Sequence, residues 1–447
     1  EGVMISGGAD VAPTSGSLTV MGTGNGDESN LGVLITNQGT TLISQSGPIQ
    51  ITGIFDMEDG DLNSGVEISD AAVVQSTGSA TITIDGGTGG GDDNEGVNID
   101  GAGVLIMSDD GDISITGRNF GTGEDNEGVK IFGGADVATT SGSITVMGTD
   151  NGDESNLGVL ITSQGTTLMS QSGPIQITGI FDMEDGDPNS GVEISNAAVV
   201  QTAGNLLVTA TTINVGNNTG GVIDTTAATI NSPAGDGDVM FIASRNISML
   251  PGSSITTSAG DVTLMSNTAG TTSGNFIGID LNSATITTGD MMNPGGAILL
   301  QGHGGDTNGN NHGVSLTNAT TVQSMGTGAG AAPITINGTG GPGSELNFGV
   351  LVGTSSQVVS SDGDIAIIGI GGTNGGADSD SNDGVRVEGN AQVTATGMGA
   401  INISGTGAAV PVVGDNFNSG VVITGAATEV MSVDGGITIS GTGGREG

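Results

Sequence analysis

One stretch of this chain is written twice. Residues 1–76 align with 127–202 at an offset of 126, and 66 of the 76 positions are identical. The ten differences include Met4/Lys130, Ser6/Phe132, Pro13/Thr139, Leu62/Pro188 and Asp70/Asn196. Inside that block runs a shorter period. A Gly-Val or similar strand start recurs at Gly2, Gly32, Gly65, Gly96, Gly128, Gly158, Gly191 and Gly221, and resumes at Gly313, Gly349, Gly384 and Gly420. The spacings are 30–33 residues in the first run and 35–36 in the second. Three less regular units fit the gap, near 221, 244 and 277, for a total of about 14. A period of this kind restricts the chain to an array in which each unit buries its apolar face only against its neighbours.

Each unit carries three short strands. The third is clearest: Leu18-Thr19-Val20, Ile49-Gln50-Ile51, Ile82-Thr83-Ile84, Ile113-Ser114-Ile115, Ile334-Thr335-Ile336 and Ile437-Thr438-Ile439. Branched apolar residues flank one polar residue, which is the period-two pattern of a strand with one buried face. Gly, Ser, Asp and Asn fill the turns, and no segment has a 3.6-residue apolar stripe. The predicted fold is all-β: a right-handed parallel β-helix, or β-solenoid, of about 14 rungs of mostly 30–36 residues, roughly 65–70 Å long. A propeller, with four strands per blade, and a six-residue left-handed helix both fit less well. The array reads as one continuous solenoid. Its regular rungs span 1–220, with the duplicated block, and 313–447; less regular rungs fill 221–312.

Asn stands two residues before the unit Gly at Asn30, Asn63, Asn94, Asn126, Asn156, Asn189, Asn311, Asn347, Asn382 and Asn418. Stacked at one corner, such amides can bond their equivalents on the turns above and below. The interior is expected to be Val, Ile, Leu and Ala, with the 15 Met as filler.

Composition removes several function classes. Five Lys+Arg against 48 Asp+Glu give a net charge of −43, so nucleic acid and anionic membrane surfaces are unsuitable partners. Without Cys there is no disulfide scaffold, thiol nucleophile or zinc ribbon. No apolar run is long enough for a transmembrane helix. Disorder is disfavoured by the 34% of hydrophobic residues, which sit in alternating runs. The chain opens at Glu1 without a basic leader and reads as a mature or internal piece. Neither end looks capped, and the tail at Gly441–Gly447 leads in register into Glu1-Gly2-Val3. Continuation of the same chain, or copies stacked end to end, is the expectation.

Acidic residues cluster after the third strand. The loops are Asp27-Glu28, Asp56–Asp61, Asp92–Glu95, Glu124–Glu127, Asp153-Glu154 and Asp182–Asp187, with Asp378, Asp380 and Asp383 later. One reading is a hydrated ridge that keeps a fibre soluble. The other is Ca²⁺ capture by hard oxygen ligands, best at Asp56, Glu58, Asp59 and Asp61 and at their copies Asp182, Glu184, Asp185 and Asp187. Neither loop has an EF-hand's ligand order, and no cofactor is required by the fold. His303, Asp306 and His312 share one Gly/Asn-rich loop and form a weaker metal candidate.

An enzyme is disfavoured. Solenoid lyases and hydrolases need cations for uronates or aromatic platforms for sugars, and here Arg118, Lys130, Arg245, Arg386 and Arg445 are scattered and the aromatics are eight Phe. The outward column Thr19, Gln50, Thr83, Ser114, Thr145 and Gln176 could meet a glycan, while its Gln residues argue against an ice plane.

The segments GSITVMG (142–148), SSITTSAGDVTLMS (253–266), NNHGVSLTNATTVQS (310–324) and AQVTATGMGAINISGTG (391–407) resemble those of filamentous-haemagglutinin-like giant repetitive bacterial surface adhesins. The resemblance implies an extracellular or cell-surface fibre. The combined expectation is a non-catalytic structural shaft of a filament or biofilm-matrix adhesin, partnered by neighbouring solenoid segments or copies and by surface glycans. The alternative is a glycan-binding or polysaccharide-processing β-helix.

Overall fold

The alternation at Ile49-Gln50-Ile51 becomes, in the computed structural model, the third strand of one coil of a parallel β-solenoid. The structure describes residues 1–25, 30–55, 62–89, 91–121, 123–151, 156–181, 190–215, 229–232, 237–289, 295–373, 381–409 and 418–444. The described residues contain strands and turns and no helix. They fall into two compact units, Glu1–Asn231 and Ser232–Gly447.

In the first unit a coil is well represented by Leu31–Ile35, Thr41–Ser44 and Ile49–Phe55. Each strand pairs in parallel with its counterpart in the next coil: Val33 with Val66, Leu42 with Val74, and Ile51 with Ile84. Equal side chains therefore stack in columns. Val33, Val66, Val97, Val129, Val159 and Val192 form one fully buried column, and Leu42, Val74, Ile106, Val137, Leu168 and Val200 another. Each such side chain contributes about 1.5–3 kcal/mol through burial. The second unit repeats the plan, for example with Val314–Thr317, Thr321–Ser324 and Ile334–Thr339, where Ile334 pairs with Ile365 and Val322 with Val358.

Among the described residues the first unit holds seven complete three-strand coils and the second holds six, slightly fewer than anticipated. Leu206–Val215 is a single strand whose first half pairs with Ile175–Gly179 and whose second half pairs with Val192–Ile194. The next first strand thus begins directly after a third strand, with no glycine loop between them, and Gly221 itself lies outside the described residues. Val239–Met249 is continuous in the same way, pairing with both Val262–Ser266 and Ile279–Leu281. Dropping the loop shortens the coil to an offset of 23 residues at Val239 and Val262.

The recurrent glycines have a packing cause. Where the third strand passes the first, backbone lies on backbone: a Cβ on Gly86 would sit 1.9 Å from the carbonyl oxygen of Gly96. A Cβ on Gly96 would in turn meet the Arg118 nitrogen at 2.3 Å.

The methionines are not core filler. Among the described residues only Met249 is buried. Met21, Met107, Met147, Met169, Met240, Met265 and Met431 each directly follow an inward aliphatic residue, so the two-residue period turns them outward. Met249 follows Ser248 and has the inward phase.

Candidate functional site

The corner before the first strand holds the asparagine column. Its bonding differs from the side-chain-to-side-chain ladder expected. The Asn Oδ1 accepts from the backbone N–H at the same corner one coil earlier, which belongs to another Asn or, before Asn311, to Phe276. In the first unit Asn30 donates to Asn63 at 2.7 Å, Asn63 to Asn94 at 2.7 Å, Asn94 to Asn126 at 2.8 Å and Asn126 to Asn156 at 2.7 Å. In the second unit Phe276 donates to Asn311 at 2.9 Å, Asn311 to Asn347 at 2.8 Å, Asn347 to Asn382 at 2.7 Å and Asn382 to Asn418 at 2.7 Å. The amide satisfies a backbone donor that turns away from the sheet at the corner, which explains why Asn and not a larger polar residue recurs there. Asn189 lies outside the described residues.

A second polar column was missed in the sequence. Ser44, Ser76, Ser108, Thr139, Ser170 and Thr202 end the second strands of the first unit and are buried; Thr257, Thr288, Ser324 and Ser360 do so in the second. Their hydroxyls close the next corner: the Gly47 N–H donates to Ser44 Oγ at 3.1 Å and the Gly173 N–H to Ser170 Oγ at 2.9 Å. The signal was a hydroxyl three residues before a glycine at Ser44, Ser108, Thr139, Ser170, Thr257 and Ser360.

All eight carboxylates proposed for Ca²⁺, Asp56, Glu58, Asp59, Asp61, Asp182, Glu184, Asp185 and Asp187, lie outside the described residues. Among the described residues no group of three or more His, Asp or Glu is placed to hold a metal ion. His303, Asp306 and His312 do not converge. His303 Nδ1 is 2.8 Å from the Gly304 carbonyl oxygen. Asp306 accepts from the Gly274 N–H at 2.8 Å and from Ser273 Oγ at 2.9 Å, which holds its carboxyl below the usual range. His312 is enclosed, stacks on Phe348 at 4.9 Å and accepts the Phe348 N–H at Nδ1, and burial pushes its pKa down to about 4.

Neighbouring acidic loops do stack where they are described: the Glu124 N–H donates to Asp92 Oδ1 at 2.9 Å. Glu95 and Glu127, however, leave that edge and are buried side by side in register. Lys130 Nζ bridges them, 3.0 Å from Glu95 and 3.1 Å from Glu127. Burial, reinforced by repulsion from Glu95, pushes Glu127 up to about 8 despite the ammonium, because two enclosed carboxylates share one cation. Glu67, Glu193 and Asp280 are raised by burial as well.

The other described cations also contact side chains of the solenoid itself. Arg118 pairs with Asp85 at 2.9 Å. Arg386 pairs with Asp383 at 2.9 Å and Glu388 at 2.8 Å and covers the Phe348 ring at 5.4 Å. The Arg245 guanidinium lies 4.8 Å from the Phe276 ring. A shallow depression on the outer face of the second unit is lined by Gln301, His303, Asn337, Thr339, Ile368 and Ile370. No described helix is long and apolar enough to cross a membrane. No family model, curated protein or solved structure matches the chain.

Proposed function

We propose that this chain is a structural shaft, a stretch of an extracellular bacterial filament or giant cell-surface adhesin whose work is mechanical. The observation that carries the reading is the use of polar groups. The asparagine column, hydroxyls such as Ser170 Oγ, which donates to the Gly142 carbonyl oxygen at 3.0 Å, and the Lys130–Glu95 and Arg118–Asp85 pairs each bond one coil to the next, so these polar groups join coils to one another. The charge of −43 fits a hydrated surface that resists lateral clumping. Its partners in this role are neighbouring solenoid segments or further copies in line. Electron microscopy of the native material tests the reading. Long uniform filaments support it, and discrete particles overturn it. Calcium at the Asp56–Asp61 and Asp182–Asp187 segments belongs to the same proposal, and an identical melting midpoint with and without chelator removes it.

The depression beside His303 favours a second reading, a glycan-binding solenoid. Gln301, Asn337 and Thr339 offer hydrogen bonds beside exposed Ile368 and Ile370. A glycan array probed with the full chain and with Gln301→Ala/Asn337→Ala decides it, since this reading requires binding that the variant loses.

A further inference from the structure

The outward placement of methionine has a chemical consequence. Of the described methionines, Met4, Met21, Met147, Met240, Met398 and Met431 are exposed, with Met21 at 67%, Met398 at 55% and Met4 at 53%, whereas Met249 is at 0%. Met107, Met169, Met265 and Met325 are half-buried. The chain has no Cys, Trp or Tyr. The buried columns are Val, Ile, Leu, Ala and a few Phe, side chains that peroxides leave intact. Among the described residues, oxidisable sulfur is thus segregated to the outside of the coils, with one interior exception.

The duplication points the same way. Ile43 in the first copy is Met169 in the second, and both residues take the outward position beside an inward leucine, Leu42 or Leu168. Met21 and its copy Met147 hold the same outward column of the third strand.

We propose that the outward methionines are S-oxidation sites that consume peroxide-class oxidants at the solenoid surface while the fold stays intact. The thioether sulfur attacks one peroxide oxygen and the O–O bond breaks. The sulfur loses two electrons and gains that oxygen as a sulfoxide, and hydrogen peroxide is reduced to water. In most folded proteins this change introduces a polar group into packed apolar surroundings and disrupts them. Here the sulfoxide projects into solvent, and among the described residues the buried columns that join the coils contain no thioether sulfur apart from Met249. The same conversion makes the exposed Met21 surface more polar.

The test treats the full chain with hydrogen peroxide and follows oxygen uptake at each methionine by peptide mass spectrometry, with far-ultraviolet circular dichroism and thermal melting on the same samples. The expected result is conversion of Met4, Met21 and Met398 first, with Met249 slower by roughly tenfold or more and an unchanged spectrum and midpoint. Met249 keeping pace with Met21, or a midpoint that falls as the outward sites convert, overturns the proposal. Met21→Leu/Met147→Leu is the second arm. It is expected to fold and to take up two fewer oxygens per chain, and unchanged uptake also overturns the proposal.

Discussion

The side-chain oxygen of Asn418 lies 2.7 Å from the backbone nitrogen of Asn382, one coil away, and the Asn382 oxygen stands in the same relation to Asn347. Each asparagine is therefore acceptor for the coil before it and donor to the coil after it. Replacing one breaks a single link but leaves a buried N–H without a partner. Asn94→Ala and Asn382→Ala should each cost about 1–3 kcal/mol in chemical denaturation. Asn25→Ala, outside the column, should cost much less.

Two adjacent glycines give a sharper contrast. A Cβ on Gly86 meets the Gly96 carbonyl oxygen at 1.9 Å, while one on Gly87 meets nothing within 4 Å. Gly86→Ala should fail to fold or lose several degrees of melting temperature, because backbone atoms cannot move aside. Gly87→Ala should be neutral or slightly stabilising, since alanine lowers the entropy of the unfolded chain.

Lys130 replaces the methionine of the first copy and is the one cation shared by two enclosed carboxyl groups. Lys130→Met restores that first-copy residue but strands Glu95 and Glu127. The expected loss is about 3–5 kcal/mol. Adding Glu95→Gln and Glu127→Gln should recover most of it, and a triple variant as unstable as Lys130→Met contradicts the assignment.

Stability should also rise as pH falls through the weakly alkaline range. Glu127 has a folded pKa of about 8, above its ordinary value of 4.5, so the folded chain binds the extra proton between those values. Its contribution is complete below the unfolded pKa and is lost as pH rises through 8. His312 acts in the opposite direction below its ordinary 6.5, because its folded pKa is about 4 and the unfolded chain binds the proton first. Melting midpoints should therefore increase from about pH 8.5 to about 6.5 and then flatten. Glu127→Gln should remove the upper slope.

Strand phase was legible in the sequence wherever Ile-x-Ile or Val-x-Ile recurred, and the unit spacing placed the asparagine corner. The Met error came from weighing hydrophobicity above phase: Val20-Met21 and Ile106-Met107 put the methionine out by alternation alone. Glu95 and Glu127 read as members of an acidic loop because their shared cation, Lys130, follows Glu127 on its own strand but meets Glu95 only across the pairing to the neighbouring coil. The loop-free junctions at Leu206–Val215 and Val239–Met249 were hidden because the repeat was tracked by its glycine, which those junctions lack.

The account rests on coils stacked in parallel and in register, and the absence of native cysteine makes that directly measurable. Thr83 and Ser114 are outward partners on adjacent third strands, while Thr83 and Thr145 are two coils apart. Thr83→Cys/Ser114→Cys should form a disulfide under mild oxidation with the β spectrum unchanged. Thr83→Cys/Thr145→Cys should stay reduced, because about 9.6 Å exceeds disulfide reach. A bridge in the second pair, or none in the first, would contradict the stacking and the mechanical role built on it.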